Sequence, residues 1–205
     1  MASSSIPFFP RMAKPLPWAM WTAAFDCSIL TPVKLQTLQA YTNKIYGLAF
    51  SPDAQMLAAS TYSRGIQLWN MSTRSLLATL TGHRDSILCV AFSPDGKLLA
   101  SGSTDNTTKI WDVATRRELA TLAGIDMPVI QLAFAPVGQT LAVASDNSLI
   151  KLWSMTTFRE LAALDPETKA GACFMAFSPD GQTFVAGQYK NSVIHFWRAP
   201  RQSLH

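Results

Sequence analysis

The stretch GHRDSILCVAFSPDGKLLASGSTDNTTKIWD, from Gly82 to Asp112, decides the fold. Ile87 to Phe92 is an apolar run of strand length. Ser93-Pro94-Asp95-Gly96 follows as a tight reversal, with proline presetting φ at the first central position and glycine accepting the left-handed one. Leu98 to Ser103 reads as a second strand, Thr104-Asp105-Asn106 as a second turn and Thr108 to Trp111 as a third strand. Arg116 to Leu122 supplies a fourth, with counterparts at Arg74 to Leu80 and Phe158 to Leu164. Helical units are disfavoured, because Pro, Gly, Asp or Asn cuts every segment within about eight residues.

The same phrase recurs in both directions along the chain. KIYGLAFSPDAQMLAASTYSRGIQLWN precedes it, from Lys44 to Asn70, and PVIQLAFAPVGQTLAVASDNSLIKLWS follows, from Pro128 to Ser154. GACFMAFSPDGQTFVAGQYKNSVIHFWR, from Gly171 to Arg198, is the last. Phe50, Phe92, Phe134 and Phe177 align, and Trp69, Trp111, Trp153 and Trp197 close the units at intervals of 42, 42 and 44 residues. A period near 42 with four short strands per unit means a stacked array of one sheet motif.

These residues resemble the WD-repeat β-propeller family. The Gly82-His83 and Trp111-Asp112 dipeptides and the AFSPDG pattern carry the likeness, over roughly Lys34 to Arg198. The resemblance implies an all-β fold of four four-stranded antiparallel blades, spanning about 41–80, 83–122, 125–164 and 168–198. Residues 1–33 match no unit and read as a poorly ordered leader, with a packed accessory segment or a targeting segment as alternatives. Residues 199–205 form a tail.

The run 34–40, KLQTLQA, resembles a fourth strand, whereas the last unit supplies three strands and stops at Arg198. The first and last segments can therefore share a blade. A seven-blade ring turns about 51° per blade, so four such blades sweep only about 200°. An open partial ring or fragment, a dimeric ring closed by exchanged ends and a small four-blade ring all remain open.

The resemblance also implies a buried polar chain in unit two joining His83, Ser101, Asp105 and Trp111. A buried indole N–H needs an acceptor, which a serine hydroxyl supplies. The corresponding residues are Tyr41, Ala59, Ser63 and Trp69 in unit one, Ile125, Val143, Asn147 and Trp153 in unit three, and Thr168, Ala186, Lys190 and Trp197 in unit four. Only the tryptophan persists. His83 and Asp105 are accordingly read as structural, with no catalytic or metal role and no cofactor.

The sequence contains no G-x-S-x-G elbow, no phosphate loop, no dinucleotide fingerprint and no H-E-x-x-H. Three cysteines, Cys27, Cys89 and Cys173, show no metal or redox spacing, and Cys89 and Cys173 sit in apolar runs. A reducing, cytoplasmic location is expected. The net charge of +4 without a run of like charges leaves a nucleic-acid or membrane-surface binder as the rival to a protein-binding scaffold. The stretch from Pro15 to Phe25 is too short to span a bilayer.

Partners commonly dock on the loop face in this family. Carried over by position, that face comprises Lys44, Tyr46, Tyr62, Ser86, Leu88, Thr104, Pro128, Ile130, Asp146 and Tyr189. The partner protein is unspecified, and self-association through open ends is a further expectation. Relatives with such regular AFSPDG units are common in bacteria, often attached to signalling domains including kinases. The resemblance thus also admits a fragment of a larger signalling protein.

Overall fold

The computed structural model describes residues 38, 44–62, 64–137, 139–164, 173–188 and 193–198. The leader, nearly all of the 34–40 run, the tail, Tyr41, Ser63, Thr168, Tyr189 and Lys190 lie outside the described residues. Fifteen strands are described, and no helix. The first blade holds β1 (Ile45–Phe50), β2 (Met56–Thr61), β3 (Gly65–Asn70) and β4 (Ser75–Thr81). The second holds β5 (Ile87–Phe92), β6 (Leu98–Ser103), β7 (Thr108–Asp112) and β8 (Arg117–Leu122). The third holds β9 (Val129–Phe134), β10 (Thr140–Ser145), β11 (Ile150–Ser154) and β12 (Glu160–Leu164). The fourth has three strands among the described residues, β13 (Cys173–Phe177), β14 (Thr183–Gln188) and β15 (Ile194–Arg198). Each sheet is an antiparallel meander in chain order.

Hairpin chemistry fixes the register. In the second blade Gly96 N–H donates to Ser93 O (2.9 Å), and Leu98 N–H donates to Ser93 Oγ (2.9 Å). Gly96 takes φ 71°, where a glycine carries no Cβ penalty. Ser178 and Gly181 repeat the arrangement in the fourth blade. Ser51 repeats it in the first, but Ala54 holds the left-handed position at φ 56°.

The last hairpin of the blade corrects the start of the fourth strand. Arg74, Arg116 and Phe158 are read from sequence as strand residues, yet they adopt φ of 57°, 62° and 53°. They close the turn, and pairing begins only after them. In the second blade Asp112 Oδ1 accepts Thr115 N–H at 2.6 Å, while Arg116 N–H donates to Asp112 O at 2.8 Å. The aspartate of the Trp-Asp pair thus builds the turn that a left-handed residue completes.

The blades pack in succession. Ala58, Ile66, Leu68 and Leu80 of the first meet Ile87, Leu99 and Trp111 of the second. Ala100, Ile110 and Leu122 of the second meet Val129, Leu141, Val143 and Trp153 of the third. Ala142, Ala144 and Ile150 of the third meet Met175, Phe184 and Trp197 of the fourth. Each tryptophan from Trp111 onward faces the preceding blade. The second strand of a blade therefore has both faces covered, and Leu99 and Ala100 are fully buried side by side. No apolar cluster joins the fourth blade to the first among the described residues, so the propeller is partial.

Outer strands are tied by charge. Lys109 Nζ bridges to Glu118 at 2.8 Å between β7 and β8, and Lys151 Nζ to Glu160 at 2.7 Å between β11 and β12. Cys89 packs against the apolar layer between the second and third blades.

Ala54→Gly is expected to stabilise the protein by roughly 0.5–1 kcal/mol, because the strain of a left-handed alanine exceeds the added entropy of an unfolded glycine. Urea unfolding measures it.

Candidate functional site

Two sets of residues present themselves, a buried polar chain in the second blade and the loop edge above the inner strands. The polar chain runs through four residues brought together from two strands, a turn and a loop. Trp111 Nε1–H donates to Ser101 Oγ at 2.9 Å, and the Ser101 hydroxyl lies 2.8 Å from His83 Nε2. His83 Nδ1 lies 2.9 Å from Asp105 Oδ2. Every donated hydrogen in the chain has an acceptor if Ser101 O–H donates to Nε2 and Nδ1–H donates to the carboxylate. Asp105 also accepts from Arg84 N–H at 2.8 Å and from the hydroxyl of Thr107 at 2.6 Å.

The connectivity Ser101–His83–Asp105 matches that of a hydrolase triad, but its placement does not. Ser101 is 0% exposed, and its oxygen already accepts from Trp111. A nucleophile must reach a substrate carbonyl beside oxyanion donors. This serine reaches only the interior, so the chain clips strands together and does not attack.

Burial holds His83 below its ordinary pKa, although the Asp105 carboxylate pulls the other way. For Asp105, burial raises the pKa, but the bonds from Thr107, Arg84 and His83 outweigh it and bring the group down to about 2. Burial pushes the Cys89 thiol up to about 12.

Among the described residues the other blades lack the serine of this chain. Ala59, Val143 and Ala186 replace the serine and are buried. Trp153 Nε1 is consequently buried with no hydrogen-bond partner, and so is His195 Nε2 beneath the fourth blade's Trp197. One part persists: Asn147 Oδ1 accepts Leu149 N–H at 3.2 Å, as Asp105 Oδ1 accepts Thr107 N–H at 3.0 Å. Sequence reading missed the buried hydroxyls of Thr61, Ser103 and Ser145, which end the second strand of three blades at intervals of 42 residues. The signal was present as a repeated Ser or Thr. It also missed the Lys109–Glu118 and Lys151–Glu160 pairs, whose spacing is equally periodic.

The loop edge is organised by one repeated backbone bond. Tyr62 N–H donates to Lys44 O at 3.0 Å, Thr104 N–H to Ser86 O at 2.9 Å and Asp146 N–H to Pro128 O at 2.9 Å. Six of the candidate positions are thereby clamped in pairs. Lys44, Tyr46, Tyr62 and Asp146 are exposed, and the Tyr46 and Tyr62 rings stand 6.4 Å apart. Leu88, Thr104, Pro128 and Ile130 are half-buried. Ser86 does not belong on an accessible patch. It is 6% exposed, because its carbonyl is tied down by Thr104 N–H and by the Ser103 hydroxyl at 2.8 Å. Tyr189 lies outside the described residues.

Stacked antiparallel meanders with a tryptophan facing each preceding sheet define a β-propeller of the WD-repeat type. The family model described as "IFT122 first beta-propeller" matches residues 44–204, and the chain belongs to that family. Among curated proteins no match to the chain is found. Among the described residues no helix is long and apolar enough to cross a membrane.

Trp111→Phe is expected to cost about 1–3 kcal/mol more than Trp153→Phe, because only the former leaves a buried serine oxygen short of a donor. Paired denaturant melts give the difference. The pH dependence follows from the same chain. A histidine depressed on folding contributes stability that is complete above its ordinary pKa and declines as pH falls below it. Asp105, also depressed, contributes stability that is complete above the ordinary carboxylate range and lost as pH falls through about 2. The thermal midpoint should therefore fall in two acid steps, and His83→Gln should flatten the first, which opens as pH falls below the ordinary histidine value of about 6.5. Circular dichroism melts across this range check it.

Proposed function

We propose that this chain is a non-catalytic scaffold that binds a protein partner through the loop edge of its blades. The observation that supports this most directly is the repeated clamp joining Lys44 to Tyr62, Ser86 to Thr104 and Pro128 to Asp146. It fixes the backbone from which side chains of three blades project, so less ordering entropy is lost on binding. At one end stand two exposed tyrosines, which give large contact area at low entropic cost. Membership of a β-propeller family agrees with such a role. The nearest arrangement to an active site is sealed inside the second blade.

The proposed location is the cytoplasm, supported by an odd number of cysteines without a pairing framework. Tyr46→Ala combined with Tyr62→Ala should abolish recovery of specific partners in a pull-down while leaving the melting temperature unchanged. Recovery identical to the parent chain would remove the tyrosine edge from the binding surface.

A further inference from the structure

A cleft of about 560 Å³ opens between the first and second blades, at the strand ends opposite the loop edge. Met56, Leu68 and Leu77 of the first blade and Val113 of the second give it apolar walls. Lys97 in the β5–β6 hairpin and Arg116 in the β7–β8 hairpin also line it, and both are exposed.

The next junction shows why this space is open. Met155 N–H donates to Gln139 O at 2.7 Å, as Val113 N–H donates to Lys97 O at 2.9 Å. Phe158 N–H donates to Ser154 O as Arg116 N–H donates to Asp112 O, both at 2.8 Å. Met155 and Phe158 are therefore the counterparts of Val113 and Arg116. Both pack into the apolar layer between the second and third blades. Valine is smaller than methionine, and a guanidinium keeps its head in water instead of filling an apolar space. The first junction thus lacks the two bulky side chains that seal the second.

The cations at the rim are only lightly engaged. Arg116 Nη1 donates to Leu77 O at 3.1 Å, which ties the guanidinium across the blade boundary and uses one N–H of its fork. Arg116 has no ion-pair partner among the described residues. Lys97 Nζ lies 3.9 Å from Asp95 Oδ2 with its side chain 80% exposed, and such a pair is worth little. Asp112, the acid among the lining residues, is occupied by the Thr115 N–H at 2.6 Å and hydroxyl at 2.7 Å. Neighbouring strands lie about 4.8 Å apart, so the two hairpins stand two spacings, about 10 Å, from one another. Two carboxylates about three residues apart on an extended chain suit that rim better than a single one.

We propose that this cleft docks a short acidic segment of a protein partner. The segment lies extended, with one large apolar side chain in the cleft and a carboxylate on either side meeting Arg116 and Lys97. Arg116 accepts such a group as a bidentate, charge-assisted pair. The site shares no residue with the loop edge and is independent of it.

Fluorescence polarisation with short labelled synthetic peptides tests this on the full 205-residue chain. The probe carries one leucine or phenylalanine flanked by glutamates, and the comparison peptide has lysine in place of each glutamate. Saturable binding of the glutamate peptide alone is expected. No binding of it, or equal binding of the lysine peptide, overturns the proposal. Arg116→Glu should weaken binding by about tenfold or more with the melting temperature unchanged. An unaltered affinity there would remove the rim. Val113→Met combined with Arg116→Phe copies the third blade and should abolish binding; a folded double variant that still binds overturns the cleft. Lys97→Glu, on an exposed hairpin, tests the same rim should that double variant fail to fold. Tyr46→Ala with Tyr62→Ala should leave peptide affinity unchanged, and a loss would place the peptide on the loop edge and overturn this site. Failure of the cleft leaves the binding role of that edge standing.

Discussion

A four-stranded sheet of some two dozen residues has two faces, and here both are apolar. No such sheet can persist in water by itself, because it lacks an interior of its own. Every other feature of the chain follows from that constraint. Consecutive blades must cover one another, the second strand of each is buried on both sides, and side chains are sorted by which neighbour they meet. Tryptophan looks backward, and small or β-branched residues such as Ala100 and Ile110 look forward. A bulky indole against a shallow surface packs densely without requiring specific partners. This explains how Ala59, Val143 and Ala186 stand where Ser101 stands without dissolving their blades.

The polar chain of the second blade adds direction where burial supplies only adhesion. Its bonds reach from a loop through the second strand to the third, so slipping any strand by one residue would break several together. The flanking blades rely on turn chemistry for the same purpose. Ser51 fixes the first hairpin of the first blade, and Asn70 and Ser154 with left-handed Arg74 and Phe158 fix the last hairpin of the first and third blades. The second blade is thus the most fully specified part of the array.

Most of the architecture was legible in the sequence because it is periodic. Strand positions could be read by aligning units, and the resemblance to the WD-repeat family pointed to His83, Ser101, Asp105 and Trp111. What stayed hidden depends on facts that alignment does not carry. The fourth strands begin late because Arg74, Arg116 and Phe158 adopt a backbone conformation that their side chains do not advertise. Ser86 looks like a surface serine in a polar loop, and only the bonds to its carbonyl reveal that it is drawn inward.

Cys89 gives the stack an internal clock. Its sulfur lies against the carbonyl of Val129, 3.7 Å away across the boundary between the second and third blades, and burial keeps it in the protonated form. A thiol in that state is chemically silent toward alkylating reagents. Parting of those two sheets would expose it further, so faster modification of this sulfur reports opening in the middle of the array.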